Sequence, residues 1–143
     1  MCSTHQPIFP LSNCPSLWET LVFCGCHAGQ LPAGGWKWHG AALGGDGNIY
    51  GIPAHATSVL KIEVATGQVR TIGHGLPDGK YKWGGATMAA NGDVYCFPSD
   101  TGRVLRVDIR VPEAEAVRMI GPDFPGKNKW QNGFLGRDHA IYG

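Results

Sequence analysis

Two stretches of the chain alternate strictly between apolar and charged residues. Leu60, Ile62 and Val64 alternate with Lys61 and Glu63, and Leu105, Val107 and Ile109 alternate with Arg106 and Asp108. A period of two is the mark of a strand with one buried face. Around each stretch lie further short apolar runs bounded by turn residues. Gly44-Gly45-Asp46-Gly47 supplies positive φ cheaply, and Pro53 stops a strand because it cannot donate to a ladder. The pattern predicts strands at 38–43, 48–53, 58–64 and 69–72, and again at 83–88, 93–98, 103–109 and 117–120.

The two sets are copies. At an offset of 45, residues 31–63 overlie 76–108 with twelve of 33 positions identical. The pairs include Lys37-Trp38 with Lys82-Trp83, Tyr50 with Tyr95, Pro53 with Pro98, and Val59-Leu60 with Val104-Leu105. A third copy begins 47 residues later, where Gly126-Lys127-Asn128-Lys129-Trp130 repeats Gly79-Lys80-Tyr81-Lys82-Trp83. Leu135-Gly136, Asp138 and Ile141-Tyr142-Gly143 then repeat Leu43-Gly44, Asp46 and Ile49-Tyr50-Gly51. The extra length falls in 110–116, which reads as a loop because loops absorb insertions.

Four short antiparallel strands every 45–47 residues describe one blade of a β-propeller. A lone four-stranded sheet cannot cover both of its faces, whereas stacked blades bury them. The fold class expected is therefore all-β, with blades at 31–75 and 76–125 and a partial blade at 126–143. Propellers hold about four to eight blades, so an incomplete propeller is expected, with the missing blades supplied by a longer chain or by self-association. Residues 1–30 do not repeat and read as a poorly ordered leader.

The repeat resembles the Lys-Trp-x-Gly-Gly, Asn-Gly-x-Ile-Tyr-x-Ile-Pro, Thr-x-x-Val-Leu-x-Ile-Asp type of propeller repeat, common among algal and protist gene products. It is more distantly similar to lactonase-like and NHL-like propellers. The resemblance covers 31–143, with departures at His39, Gln131 and Asn132. It implies architecture rather than activity, because propellers host hydrolases, lyases and binding scaffolds alike.

Composition narrows the field. Only 16% of residues are charged, against an average of about a quarter, and Gly takes 22 of 143 positions. This disfavours a helical bundle. With 43% apolar residues and a net charge of +1, the chain is neither disordered nor a nucleic-acid binder on electrostatic grounds. No apolar run reaches the length of a membrane-spanning helix. Five cysteines, an odd number, argue against a fully paired secreted framework, and the N-terminus lacks a basic signal region. A cytoplasmic location is the expectation. Cys24, Cys26 and His27 have no matching second half downstream for a metal site.

Several residues are candidates for chemistry. Lys37, Lys82 and Lys129 each precede a repeat Trp, on the rim that should also carry His55 and Asp100. They read as an electropositive mouth for an anionic ligand, or as repeated lysines whose stems pack on Trp. Trp38, Trp83 and Trp130 read as a platform for sugars or methylated cations, or as wedges between blades. His39 and His55, with Asp46 or Asp100, are candidate ligands for a channel metal. The lactonase-like resemblance implies calcium or zinc there, yet the innermost positions His39, Gly84 and Gln131 offer no carboxylate. Asp46, Asn91 and Asp138 sit in turns, where such residues serve the backbone. No P-loop, dinucleotide fingerprint, G-x-S-x-G or H-E-x-x-H occurs. The reading is a binding or scaffolding module without a cofactor, for a protein or a small anionic or sugar-like ligand. Its alternative is part of a propeller hydrolase or lyase with a channel metal.

Overall fold

The computed structural model describes residues 31–143. The expected leader and the Cys24, Cys26 and His27 grouping lie outside the described residues. The first blade comprises β1 (Trp38–Leu43), β2 (Ile49–Pro53), β3 (Val59–Ile62) and β4 (Val69–Ile72). The second comprises β5 (Trp83–Met88), β6 (Val94–Pro98), β7 (Val104–Val107), a one-turn helix α1 (Glu113–Ala116) and β8 (Val117–Ile120). A two-stranded ribbon of β9 (Phe134–Leu135) and β10 (Ile141–Tyr142) follows. Each four-stranded sheet is a plain antiparallel meander, ordered β1-β2-β3-β4 and β5-β6-β7-β8. The architecture is all-β, as the residue pattern predicts.

Registers repeat with the sequence. Tyr50 lies opposite Lys61 and Gly51 opposite Leu60, while Tyr95 lies opposite Arg106 and Cys96 opposite Leu105. Both inner strands carry a register shift at the same place, between Trp38 and Ala41 and between Trp83 and Ala86. The outer segments depart from expectation in two ways. Strands β3 and β7 end early because the chain is already turning, with the Glu63 and Asp108 amides donating to the Gln68 and Ala116 carbonyls. The insertion at 110–116 is not wholly a loop. Pro112 precedes α1, where a missing N–H is tolerated, and Glu113 and Glu115 occupy the first turn, where negative charge is favoured.

The core lies between the two blades. Tyr50, Ile52, Val59 and Ile72 of the first pack with Trp83, Val94, Cys96, Leu105 and Val107 of the second. At the inner turns the backbones touch, with the Gly45 amide donating to the Gly92 carbonyl at 2.9 Å. A Cβ on Gly45 would stand 2.7 Å from the Gly92 Cα, so this approach needs glycine. Ion pairs tie the outer edges together. Glu113 of the second blade accepts from Lys61 at 2.8 Å and from Arg70 of the first. Among the described residues, no helix is long and apolar enough to cross a membrane.

Candidate ligand-binding face

The loops entering the inner strands meet the loops that follow the second-strand prolines, as the blade arrangement requires. His55 lies edge-on to Tyr81, with ring centroids 4.8 Å apart. Asp100, at the equivalent position one blade on, accepts from the Asn128 amide at 2.8 Å. Gln131 donates from Nε2 to the Ser99 hydroxyl at 3.2 Å.

The lysines on this face have partners. Lys82 is buried, and its Nζ donates to the carbonyls of Ala54 (3.2 Å) and Gly79 (3.3 Å). Lys129 repeats the arrangement, donating to Ser99 (2.7 Å), Thr101 (2.9 Å) and Gly126 (2.7 Å). Ala54 and Ser99 are equivalent positions, so each ammonium reaches back to the residue after the preceding blade's second-strand proline. Lys37 donates to the Pro32 carbonyl at 2.6 Å and lies 5.3 Å from the Trp38 ring centre. Burial pulls the Lys82 ammonium below the ordinary lysine range, with Asp78 partly opposing. A cation caged by neutral carbonyls offers little to an anion from solvent. What sequence reading could not see is that Lys82 and Lys129 each find a backbone carbonyl one blade away.

Of the repeat tryptophans, Trp83 belongs to the core between the blades. Trp38 and Trp83 each donate from Nε1 at 2.9 Å, to the Ser58 and Arg103 carbonyls respectively. Trp83 is fully buried, and Trp130 is half-buried edge-on to Phe124. The Asx turns behave as expected. Asp46 and Asp138 each accept a backbone amide two residues on and a Tyr hydroxyl, from Tyr50 at 2.8 Å and from Tyr142 at 2.6 Å. Burial and the Asp46 carboxylate push the Tyr50 hydroxyl well above its usual range. Burial likewise pushes the Cys96 thiol up to about 12, which leaves it unreactive.

The exposed chemistry of this face is aromatic. Trp36 is 62% exposed and Tyr81 is 50% exposed. Their rings stand 6.4 Å apart, with His39 5.8 Å from Trp36. Both occupy the position just before the repeat lysine and both hold left-handed backbone, φ 53° and 51°. Asn128 takes the third equivalent position at φ 51°. Such backbone is unusual for bulky residues. Beneath Tyr81, the Nε2 of His55 is buried without a hydrogen-bond partner. Sequence reading named His39 and His55 but passed over Trp36 and Tyr81. The available signal was Asn128, a residue that tolerates left-handed backbone, in register with two aromatics.

Among the described residues, no three His, Cys, Asp or Glu side chains are grouped so as to hold a metal ion. His39, His55, Asp46 and Asp100 thus do not fit the channel metal that the lactonase-like resemblance implies.

A family model described as Repeat of unknown function (DUF6923) matches residues 38–123. Among solved structures, the chain is similar to a catalytically inactive virginiamycin B lyase from Staphylococcus aureus with quinupristin, at 22% identity and a TM-score of 0.59. The match covers 78% of this chain and 36% of that one, so the chain spans about a third of that β-propeller. No curated protein matches. Shared architecture with the lyase concerns the fold alone, and the repeat itself places the chain in the DUF6923 family of repeats of unknown function.

Proposed function

We propose that this chain is a propeller-blade binding module whose ligand seats on Trp36, Tyr81, His39 and His55, and that the ligand is a neutral, hydroxyl-bearing ring of the sugar type. One observation carries this reading: two bulky aromatic side chains, Trp36 and Tyr81, are exposed with their rings 6.4 Å apart and the His39 imidazole beside them. Exposed aromatic rings offer apolar faces to a ligand ring, and the exposed His39 imidazole beside Trp36 suits a hydroxyl. The anionic version loses support because the Lys82 and Lys129 ammoniums are committed to carbonyls.

The test is titration of the full chain with soluble tetrasaccharides of glucose, N-acetylglucosamine, mannose and galactose, followed by Trp emission and calorimetry. At least one is expected to bind saturably. Trp36→Ala and Tyr81→Ala should each weaken it about tenfold, or about 1.4 kcal/mol, while Lys37→Glu leaves it unchanged. Silence across the panel overturns the reading. Binding that Lys37→Glu abolishes and Trp36→Ala spares would restore the anionic one.

A further inference from the structure

One row of residues crosses the ligand face from the first repeat to the third. Trp36, Tyr81 and Asn128 are equivalent positions in the repeat, and His55 and Asp100 are equivalent positions set between them. Contacts alternate along the row. The His55 amide donates to the Trp36 carbonyl at 3.2 Å, and the His55 ring meets that of Tyr81. The Asp100 amide donates to the Tyr81 carbonyl at 3.0 Å, and the Asp100 carboxylate accepts the Asn128 amide at 2.8 Å. The backbone arrangement repeats, but the chemistry changes. Where the first junction sets an aromatic ring beside an imidazole, the second sets a carboxamide beside a carboxylate. Asn128 is exposed and Asp100 is half-buried. The Asn128 amide takes Oδ1 of Asp100, and among the described residues no donor meets Oδ2. The loop is held to Asp100 by the Asn128 backbone, which leaves the Asn128 carboxamide to solvent.

We propose that Asp100 and Asn128 form a second subsite beside the aromatic pair, so that the sugar-type ligand is an oligomer of at least two linked rings; this rests on the reading that Trp36 and Tyr81 hold one ring. The Asp100 amide bond to the Tyr81 carbonyl fixes the two subsites next to one another. A ring linked to the one on Tyr81 therefore lies over Asp100 and Asn128, and its hydroxyls hold it there. One hydroxyl donates to Oδ2 of Asp100. The Asn128 carboxamide can both donate to and accept from its neighbour. Hydrogen bonds to an ionised acceptor are stronger than those between neutral groups, so Asp100 contributes more than Asn128. The aromatic pair selects for a ring face, whereas the polar pair selects for chain length. A single ring reaches only one of the two.

Calorimetry and ligand-observed NMR of the full chain with the mono- and tetrasaccharides of glucose, N-acetylglucosamine, mannose and galactose test it. A tetrasaccharide that binds should do so at least about tenfold more tightly than its own monosaccharide. Asp100→Asn removes the charge yet keeps an oxygen for the Asn128 amide. Asn128→Gly removes the carboxamide, and glycine adopts φ 51° without strain. The first should weaken the tetrasaccharide about tenfold and the second about threefold, and neither should move the monosaccharide. Trp36→Ala should weaken both sugars. Circular dichroism of the Asp100 and Asn128 variants should match that of the native chain. A monosaccharide that binds as tightly as its tetrasaccharide overturns the second subsite and leaves the aromatic one standing. So does a tetrasaccharide affinity that neither Asp100→Asn nor Asn128→Gly changes. Equal weakening of both sugars by Asp100→Asn would assign Asp100 to positioning Tyr81 instead. If none of the eight sugars binds, the aromatic reading fails and the second subsite with it.

Discussion

A lysine placed before each repeat tryptophan reads from sequence as charge offered to a ligand, and its geometry is that of a clasp. The Lys82 and Lys129 ammoniums each reach the residue after the previous blade's second-strand proline, so each side chain joins two blades. Position in the repeat was legible, whereas the partner was not, because a backbone carbonyl leaves no mark on the sequence. The outer-edge charges follow the same logic. Arg70 first, then Lys61, hold the Glu113 carboxyl down to about 2, against the desolvation that raises it. A carboxyl depressed in the folded state adds stability above its unfolded pKa of 4.5 and loses it as pH falls toward about 2. Because the Glu113 side chain is 41% exposed, solvent screening limits this to about 1 kcal/mol. Thermal melts should therefore show Glu113→Gln less stable than the native chain at neutral pH, with the gap closing by about pH 2. A gap that persists at pH 2 would assign the loss to packing rather than to charge.

Element boundaries follow the alternation of apolar and polar positions to within two residues in all eight strands of the two blades. The spans β1, β4, β5 and β8 match the expectation residue for residue. Errors gather at the outer ends of β3 and β7 and in α1, where packing rather than pattern decides. An insertion of mixed polarity gives no period to read, and α1 becomes a helical turn once Glu113 has Lys61 and Arg70 to meet. Glycine on the inner strand β5 answers to crowding. A Cβ on Gly85 would collide with the Gln131 carbonyl and stand 2.7 Å from the Asn132 Oδ1. Gly85→Ala should then push the third-copy segment off β5 and cost about 1–3 kcal/mol by overpacking. Gly35→Ala, with nothing within 4 Å of its Cβ, is the control and should change little. Urea melts that leave both variants alike would show that the contact between Gly85 and the 131–132 backbone carries no stability.

Across the whole molecule, stability is set by how many neighbours each blade has, as in other stacked repeats. The second blade is covered on both faces near its inner strand, and Trp83 is 0% exposed. Its counterparts Trp38 and Trp130 are only half-buried. Hydrogen exchange should therefore be slowest in β6 and β7, intermediate in β1 and fastest in β9 and β10. Uniform protection in all three would mean that the outer faces are covered in solution by further copies of the chain. The aromatic patch adds a directional consequence. Trp36 precedes β1 and Tyr81 precedes β5, so a ligand held by both bridges two blades. Binding there stabilises the state in which the blades are apposed, by mass action on that state alone. A saturating sugar-type ligand should slow exchange in β1 and β5 together while leaving β9 and β10 as they were. Slowing confined to one of the two strands would mean that the ligand contacts a single blade, and the bridging geometry of Trp36 and Tyr81 would then have no part in holding it.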